Sequence, residues 1–288
     1  MRRLEFLITE VRNSTDNKDT NGVSNNEIIQ YFNDAQRFIS NLIFKSNPYA
    51  DLFKVQLEYT PVSTGIYALP ADIFAVNAIS MVEGRYSQTG NNDGFTRIKP
   101  ISESEASYIF GYYTRDGNII ITGQNTNISM DKVRITYFKK LPTLDIRRGT
   151  VGVVTANTSI AITSLDATAP LKDDNYSTAN QYGAQVVSGI YSASTASPLL
   201  TATTTGVISG QYLLSGTNSC NSSILPDACE TYLLDYVKQR VYTRNNYQDS
   251  DKQVYFTEQQ KADIISLFSK NKKDDDTVPV TDMEFLYF

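Results

Sequence analysis

Residues 23–44 read VSNNEIIQYFNDAQRFISNLIF, and this stretch organises the reading of the whole chain. Ser24 and Glu27 have the spacing of a capping box, in which each side chain satisfies the other's free backbone N–H. Val23 before the cap and Ile28 after it fit a hydrophobic staple. Ile28, Phe32, Ala35, Ile39 and Leu42 then recur at helical spacing, and Ile29, Phe38 and Ile43 widen the stripe. Asn33, Asp34, Arg37 and Ser40 fall on the opposite face. The pattern predicts an amphipathic helix with one buried side.

Outward from this helix, Arg2–Arg12 predicts a first short helix with Leu4, Leu7, Ile8 and Val11 on one face. Residues 13–22 are a polar loop, and Asn47-Pro48 ends the long helix. Phe53, Val55, Leu57 and Tyr59 alternate as in a half-buried strand. Ile73 to Ile79 is apolar enough for a strand covered on both faces. Ser102 and Glu105 form a second capping box, predicting a short helix to about Phe110. Asp116-Gly117 predicts a hairpin turn leading to strands at Ile119–Ile121 and Val133–Tyr137.

From Asp145 to Ser223 charge nearly vanishes and short β-branched runs alternate with turn residues, which predicts an inserted β-rich module. Helices resume at Leu225-Pro226-Asp227, with Leu233, Leu234, Val237 and Val241 as the apolar stripe. Ser250 and Gln253 are placed to cap a last helix through about Phe268. Lys270–Asp276 is a charged linker. The apolar segment after it (Val280, Met283, Phe285, Leu286, Tyr287 and Phe288) is expected to dock, on its own fold or on a neighbour, because an untethered terminus is ordinarily polar. The expected fold is therefore α+β. It has a helical bundle core with a small antiparallel β section, an inserted all-β domain and an extended C-terminal tail. Its divisions are 1–144, 145–223, 224–270 and 271–288.

Bulk properties narrow the function. The chain has 288 residues, a net charge of −5, 2 cysteines and 0 histidines. Without histidine there is no Ser-His or Cys-His nucleophile, and the commonest metal ligand is missing. No glycine-rich phosphate loop occurs. Glu103 and Glu105 are the nearest thing to a carboxylate pair and sit in a capping context. The sequence thus points away from an enzyme and offers no catalytic, cofactor-binding or metal residues. Its acidity disfavours a surface built to grip phosphates but leaves open a wall that DNA slides past. Cys220 and Cys229 stand across Pro226, a spacing that leaves both a bridge and two free thiols open. Neither a secretion signal nor a membrane-spanning run is read in the sequence.

The order of these segments resembles the head-to-tail connector family (tail adaptors, or portal-bound ring proteins) of short-tailed double-stranded DNA bacteriophages. The pieces carrying the resemblance are Ser24–Arg37 with its Tyr-Phe-Asn-Asp-Ala core, Tyr67-Ala-Leu-Pro-Ala-Asp, Val133–Pro142 and Leu225–Val237. They cover roughly 1–144 and 224–270, whereas the family often passes almost directly from the Leu-Pro strand to the Leu-Pro-Asp helix. The Asn- and Tyr-rich composition suits a crAss-like phage. The resemblance implies a homo-oligomeric ring, a dodecamer, beneath the portal protein. It also implies contact with other tail ring or nozzle proteins, non-specific proximity to double-stranded DNA in the channel, and a virion location in the neck or tail after assembly in the host cytoplasm. The alternatives are another tail component, such as a tube or nozzle protein, and a tail-associated cell-wall hydrolase.

Overall fold

The computed structural model describes residues 1–16, 22–46, 53–75, 78–86, 94–122, 130–155, 159–165, 175–180, 185–192, 199–201, 206–245 and 255–268. Four α-helices are seen among them: α1 (Leu4–Ser14), α2 (Asn25–Ser46), α3 (Glu230–Asn245) and α4 (Glu258–Phe268). Fifteen strands stand against these four helices. That count overturns the expected helical bundle core with a small β section. Most of the described architecture is sheet, arranged in four groups.

The helix α2 begins as its sequence dictates. The Ser24 N–H donates to Glu27 Oε2 at 2.8 Å, and the Glu27 N–H donates to Ser24 Oγ at 3.2 Å. Two N–H donors at the helix start are thereby satisfied. Ile28, Phe32, Ala35, Ile39 and Ile43 are fully buried. They share one apolar cluster with Leu4, Leu7 and Val11 of α1, Leu233, Val237 and Val241 of α3, and Ile264 of α4. The cap of α4 lies at Thr257 and Gln260, which exchange N–H bonds at 3.0 and 3.2 Å. The expected cap residues Ser250 and Gln253 lie outside the described residues.

The section between the long helix and the barrel is a two-sheet sandwich. One sheet has the order β1 (Lys54–Tyr59), β7 (Met130–Phe138), β3 (Ile79–Tyr86), β4 (Phe95–Ile98), all antiparallel. The other has the order β2 (Ile66–Ala68), β6 (Asn118–Thr122), β5 (Gly111–Arg115). Val82, Ile98, Val133, Ile135 and Tyr137 of the first sheet meet Tyr67, Tyr112, Ile119 and Ile121 of the second in a core of their own. This core is the physical reason the bundle expectation failed: the extended section buries its apolar face against itself. Asp116 and Gly117 take positive φ, 49° and 74°, in the turn joining β5 and β6, as a tight hairpin requires. Two expected elements differ. Ser102 and Glu105 open only a 3-10 turn over Glu103–Glu105. Of the run 73–79, Ile73 makes an isolated bridge to Lys139, and the strand proper starts at Ile79.

Strands β9 (Gly149–Thr155), β10 (Ser159–Leu165), β11 (Asn175–Ala179), β12 (Gln185–Ser192), β13 (Leu199–Thr201) and β14 (Tyr212–Ser215) close a barrel in the order β10-β13-β12-β11-β14-β9. Closure leaves the barrel with no open sheet edge. Val151, Tyr176, Val207 and Leu213 fill it. A short parallel pair, β8 (Thr143–Leu144) with β15 (Ser219–Cys220), lies where the chain enters and leaves the barrel. Among the described residues no helix is long and apolar enough to cross a membrane.

Candidate functional site

The barrel is held to the helices by a seam of buried polar groups. Asn33 of α2 behaves as a substitute strand: its Nδ2 donates to the Leu144 carbonyl at 2.9 Å and its Oδ1 accepts the Leu144 N–H at 2.7 Å. One turn on, Gln36 Nε2 donates to the Pro142 carbonyl at 2.8 Å, and Gln36 Oε1 accepts the Ser223 hydroxyl at 2.5 Å. Just beyond, Asp145 and Arg148 form an ion pair whose side chains are 6% and 3% exposed. Arg148 Nη2 donates to Asp145 Oδ1 at 2.5 Å and Arg148 Nε to Oδ2 at 3.0 Å, while the Ser215 N–H donates to the same Oδ2 at 2.8 Å. Asn221 Nδ2 donates both to the Asp145 carbonyl and to Glu5 Oε1, each at 2.9 Å. The guanidinium groups of Arg3 and Arg147 lie over the ring of Tyr212, at 5.3 and 5.8 Å from its centre.

A groove of 1020 Å³ runs along this seam, between the outward face of α2, residues 140–145 and the turn 215–219. Asn26, Gln30, Asn33, Lys140 and Asn218, with the Asp34–Arg37 ion pair, give it a lining of amides and charges. Such a wall supplies hydrogen bonds to a backbone or a polar partner surface. Its buried acid, Asp145, is already taken by Arg148 and Ser215. Among the described residues no group of three or more His, Cys, Asp or Glu side chains is placed to hold a metal ion.

The sandwich offers a second kind of surface at its two ends. Strands β1 and β4 are the outer strands of the larger sheet, and β2 and β5 those of the smaller. At one end β1 lies by β2: Tyr59 and Tyr67 meet edge to face, and Tyr59 OH donates to the Ala68 carbonyl at 2.8 Å. Leu57, Val62 and Ile66 are exposed there. At the other end β4 runs into β5 through Lys99–Ile101, where the Tyr112 N–H donates to the Lys99 carbonyl and the Ile101 N–H to the Tyr112 carbonyl, both at 2.9 Å. The turn that follows carries Tyr108, Ile109 and Phe110 into solvent, Tyr108 at 72% exposure. Beside it Ile79, Pro100, Tyr112 and Glu103 line a hollow of 470 Å³. The two ends of one sandwich therefore differ: an aliphatic strand edge on one side, an aromatic prong with a hollow on the other.

The outer face of the larger sheet is charged. Glu58 accepts bonds from Lys132 Nζ and Arg134 Nη2, both at 2.8 Å, and Arg134 also stacks on Phe95 with its Cζ 3.6 Å from the ring centre. Lys132 first and Arg134 second hold the Glu58 carboxyl down to about 2. A lowered folded value favours the fold above the ordinary carboxylate range, and that contribution fades as pH falls from about 4.5 toward 2. Glu58 is exposed, so screening keeps the effect on stability small. An NMR titration should place the Glu58 midpoint at about 2, and Lys132→Met should raise it toward the ordinary carboxylate range. An ordinary midpoint in the intact chain would dissolve the cluster.

The six residues expected to dock, Val280, Met283, Phe285, Leu286, Tyr287 and Phe288, lie outside the described residues. Cys220 and Cys229 are free and buried in the helical cluster. Burial pushes Cys220 up to about 12 and Cys229 up to about 11, so neither is a ready thiolate. Sequence reading missed both sandwich ends and the seam. The helical spacing puts Asn33 and Ser40 on the face opposite the apolar stripe, yet Asn33 is bonded to Leu144 and Ser40 is 6% exposed. Neither a protein-family model nor a curated protein matches this sequence.

Proposed function

We propose that this chain is a structural, non-enzymatic subunit of the neck of a short-tailed double-stranded DNA phage. It forms a ring, a dodecamer, that joins the portal of the head to the tail and continues the DNA channel. The observation that carries the reading is the unlikeness of the two sandwich ends. A closed ring is built from head-to-tail contacts, in which each subunit presents two different faces to its neighbours. Tyr108, Ile109 and Phe110 on one end and Val62 and Ile66 on the other are unlike apolar patches of the sort such a contact buries. The net charge of −5 supports a channel wall that repels DNA weakly instead of gripping it. In the assembled neck Val280, Met283, Phe285, Leu286, Tyr287 and Phe288, after the charged linker 270–276, are the proposed contact with the portal or a neighbouring subunit, reached by exchange out of the free chain.

A second reading, another ring or nozzle component of the same tail, is favoured by the amount of sheet. The sandwich and the barrel are both β structures, as in tube and nozzle proteins. Native mass spectrometry with negative-stain imaging separates the two. The connector reading expects rings, alone or on mixing with the portal protein of the same phage, and a stable complex with that portal. Rings without portal binding would favour the nozzle reading. A monomer that ignores the portal would remove both.

A further inference from the structure

Among the described residues the larger sheet of the sandwich ends in a strand that is paired on one side only. Among the described residues β1 pairs with β7 and with no other strand. The Lys139 N–H donates to the Phe53 carbonyl at 2.8 Å, which fixes the phase of the ladder. Antiparallel partners alternate between bonded and non-bonded pairs. The backbone groups of Val55, Leu57 and Tyr59 therefore turn toward β7, and those of Gln56 and Glu58 turn outward. Leu57 lies at this edge with 37% of its surface exposed, although its register partner Ile135 is fully buried. A strand edge of this kind is a template for another strand.

The chain itself supplies a candidate, and the geometry brings it close. Helix α4 ends at Phe268, whose ring stacks at 6.3 Å on Phe53, the residue immediately before β1. The chain thus leaves the described structure beside the start of the open edge. Residues 269–277 are nine polar or charged residues, a reach of about 30 Å when extended. Strand β1 has 6 residues, about 20 Å of strand. The linker is long enough to run the length of β1 and let residues 278–288 return along it. That segment, VPVTDMEFLYF, is rich in strand formers, and Met283, Phe285 and Tyr287 alternate with Glu284 and Leu286. Placed on the core side of an added strand, the alternating set would cover Leu57.

We propose that the outer edge of β1 is the docking site for residues 278–288 of the same chain, which add to the larger sheet as a fifth strand. Main-chain bonds to Gln56 and Glu58 hold it, and the Leu57 side chain gives it register. The contact forms within one chain, and it stands whether or not the protein builds a ring. Within a ring the same strand is available for exchange onto the identical edge of a neighbour, which is how an interface of this kind is swapped between copies.

Amide hydrogen exchange on the intact chain at low concentration tests it. The Gln56 and Glu58 amides should exchange slowly, and Phe285→Asp with Tyr287→Asp should speed both on the order of tenfold or more while leaving Val55 and Leu57 protected. A second variant, Leu57→Cys with Phe285→Cys, places both thiols on the core side of the paired strands and should form an intramolecular disulfide under mild oxidation. Fast exchange at Gln56 and Glu58 in the intact chain overturns the proposal, as does slow exchange that the double substitution leaves unchanged. Protection that grows with protein concentration, or a cross-link only between copies, also overturns it in favour of a second molecule. Failure to form rings or bind a portal would strike the connector reading and leave these readouts untouched.

Discussion

Asp145→Ala should lower the folding stability by about 3–5 kcal/mol, because it leaves Arg148 buried without a counter-charge. The pair is nearly inaccessible, at 6% and 3% exposure, and each Asp145 oxygen accepts a bond from Arg148. Oδ2 also caps the Ser215 N–H at the end of β14. The substitution therefore removes the anion and strips a backbone donor of its partner in the same step. Asp145→Asn keeps an acceptor for Ser215 and should fall between wild type and alanine. A paired change, Asp145→Leu with Arg148→Met, removes both charges and should recover a large part of the loss, since buried ion pairs contribute little net stability over apolar replacements. Guanidinium denaturation followed by far-UV circular dichroism measures all three. A loss under 1 kcal/mol for alanine would mean that water reaches the pair. Because the seam joins the barrel to α1 and α2, the alanine protein should also be cleaved faster by protease near residues 145–148 and 215–223.

What could be read in the sequence was whatever is local. The Ser24–Glu27 cap, the Asp116-Gly117 turn and the stripe Leu233, Leu234, Val237, Val241 each depend on residues a few positions apart, and each is present. What could not be read was pairing at a distance. Strand β4, Phe-Thr-Arg-Ile, buries only Ile98, so its alternation is too faint to mark a strand, yet it completes the larger sheet. The sandwich core gathers Tyr67, Ile98, Ile119 and Val133 into one cluster from distant parts of the chain, which no periodicity records. The polar side of α2 misled for the same reason. Asn33 and Gln36 look like solvent residues until residues 142–144 return to meet them. In α4 the buried residue is Ile264, with Ile265 only partly covered. The docking segment is an expectation drawn from apolar residues after a charged linker, and it lies outside the described residues. The strand edge and the prong depend on sheet order, which a single sequence does not state.

Phe32→Ala should cost about 3–5 kcal/mol, the range for deleting a buried aromatic ring. Phe32 is fully buried on the face of α2 that the other helices share. Helix α1, α3 and α4 all pack on α2, so the cavity opens where separate helices meet and cannot be closed by moving one of them. Phe32→Leu keeps most of the volume and should lose less than about 1.5 kcal/mol. Phe6 gives the contrast within the same cluster of helices. It is 60% exposed on α1, and Phe6→Ala should stay within about 0.5 kcal/mol of wild type. The sandwich and the barrel have apolar cores of their own, which makes the shape of the transition informative. If Phe32→Ala shifts one cooperative transition as a whole, the seam at Asn33, Gln36 and Asp145 couples the helices to the sheets. If it splits off an early transition that carries the helical signal alone, the sheets fold independently, and the seam is a joint between units that stand without it. A shift below 1 kcal/mol would contradict the placement of Phe32 at the centre of the helical cluster.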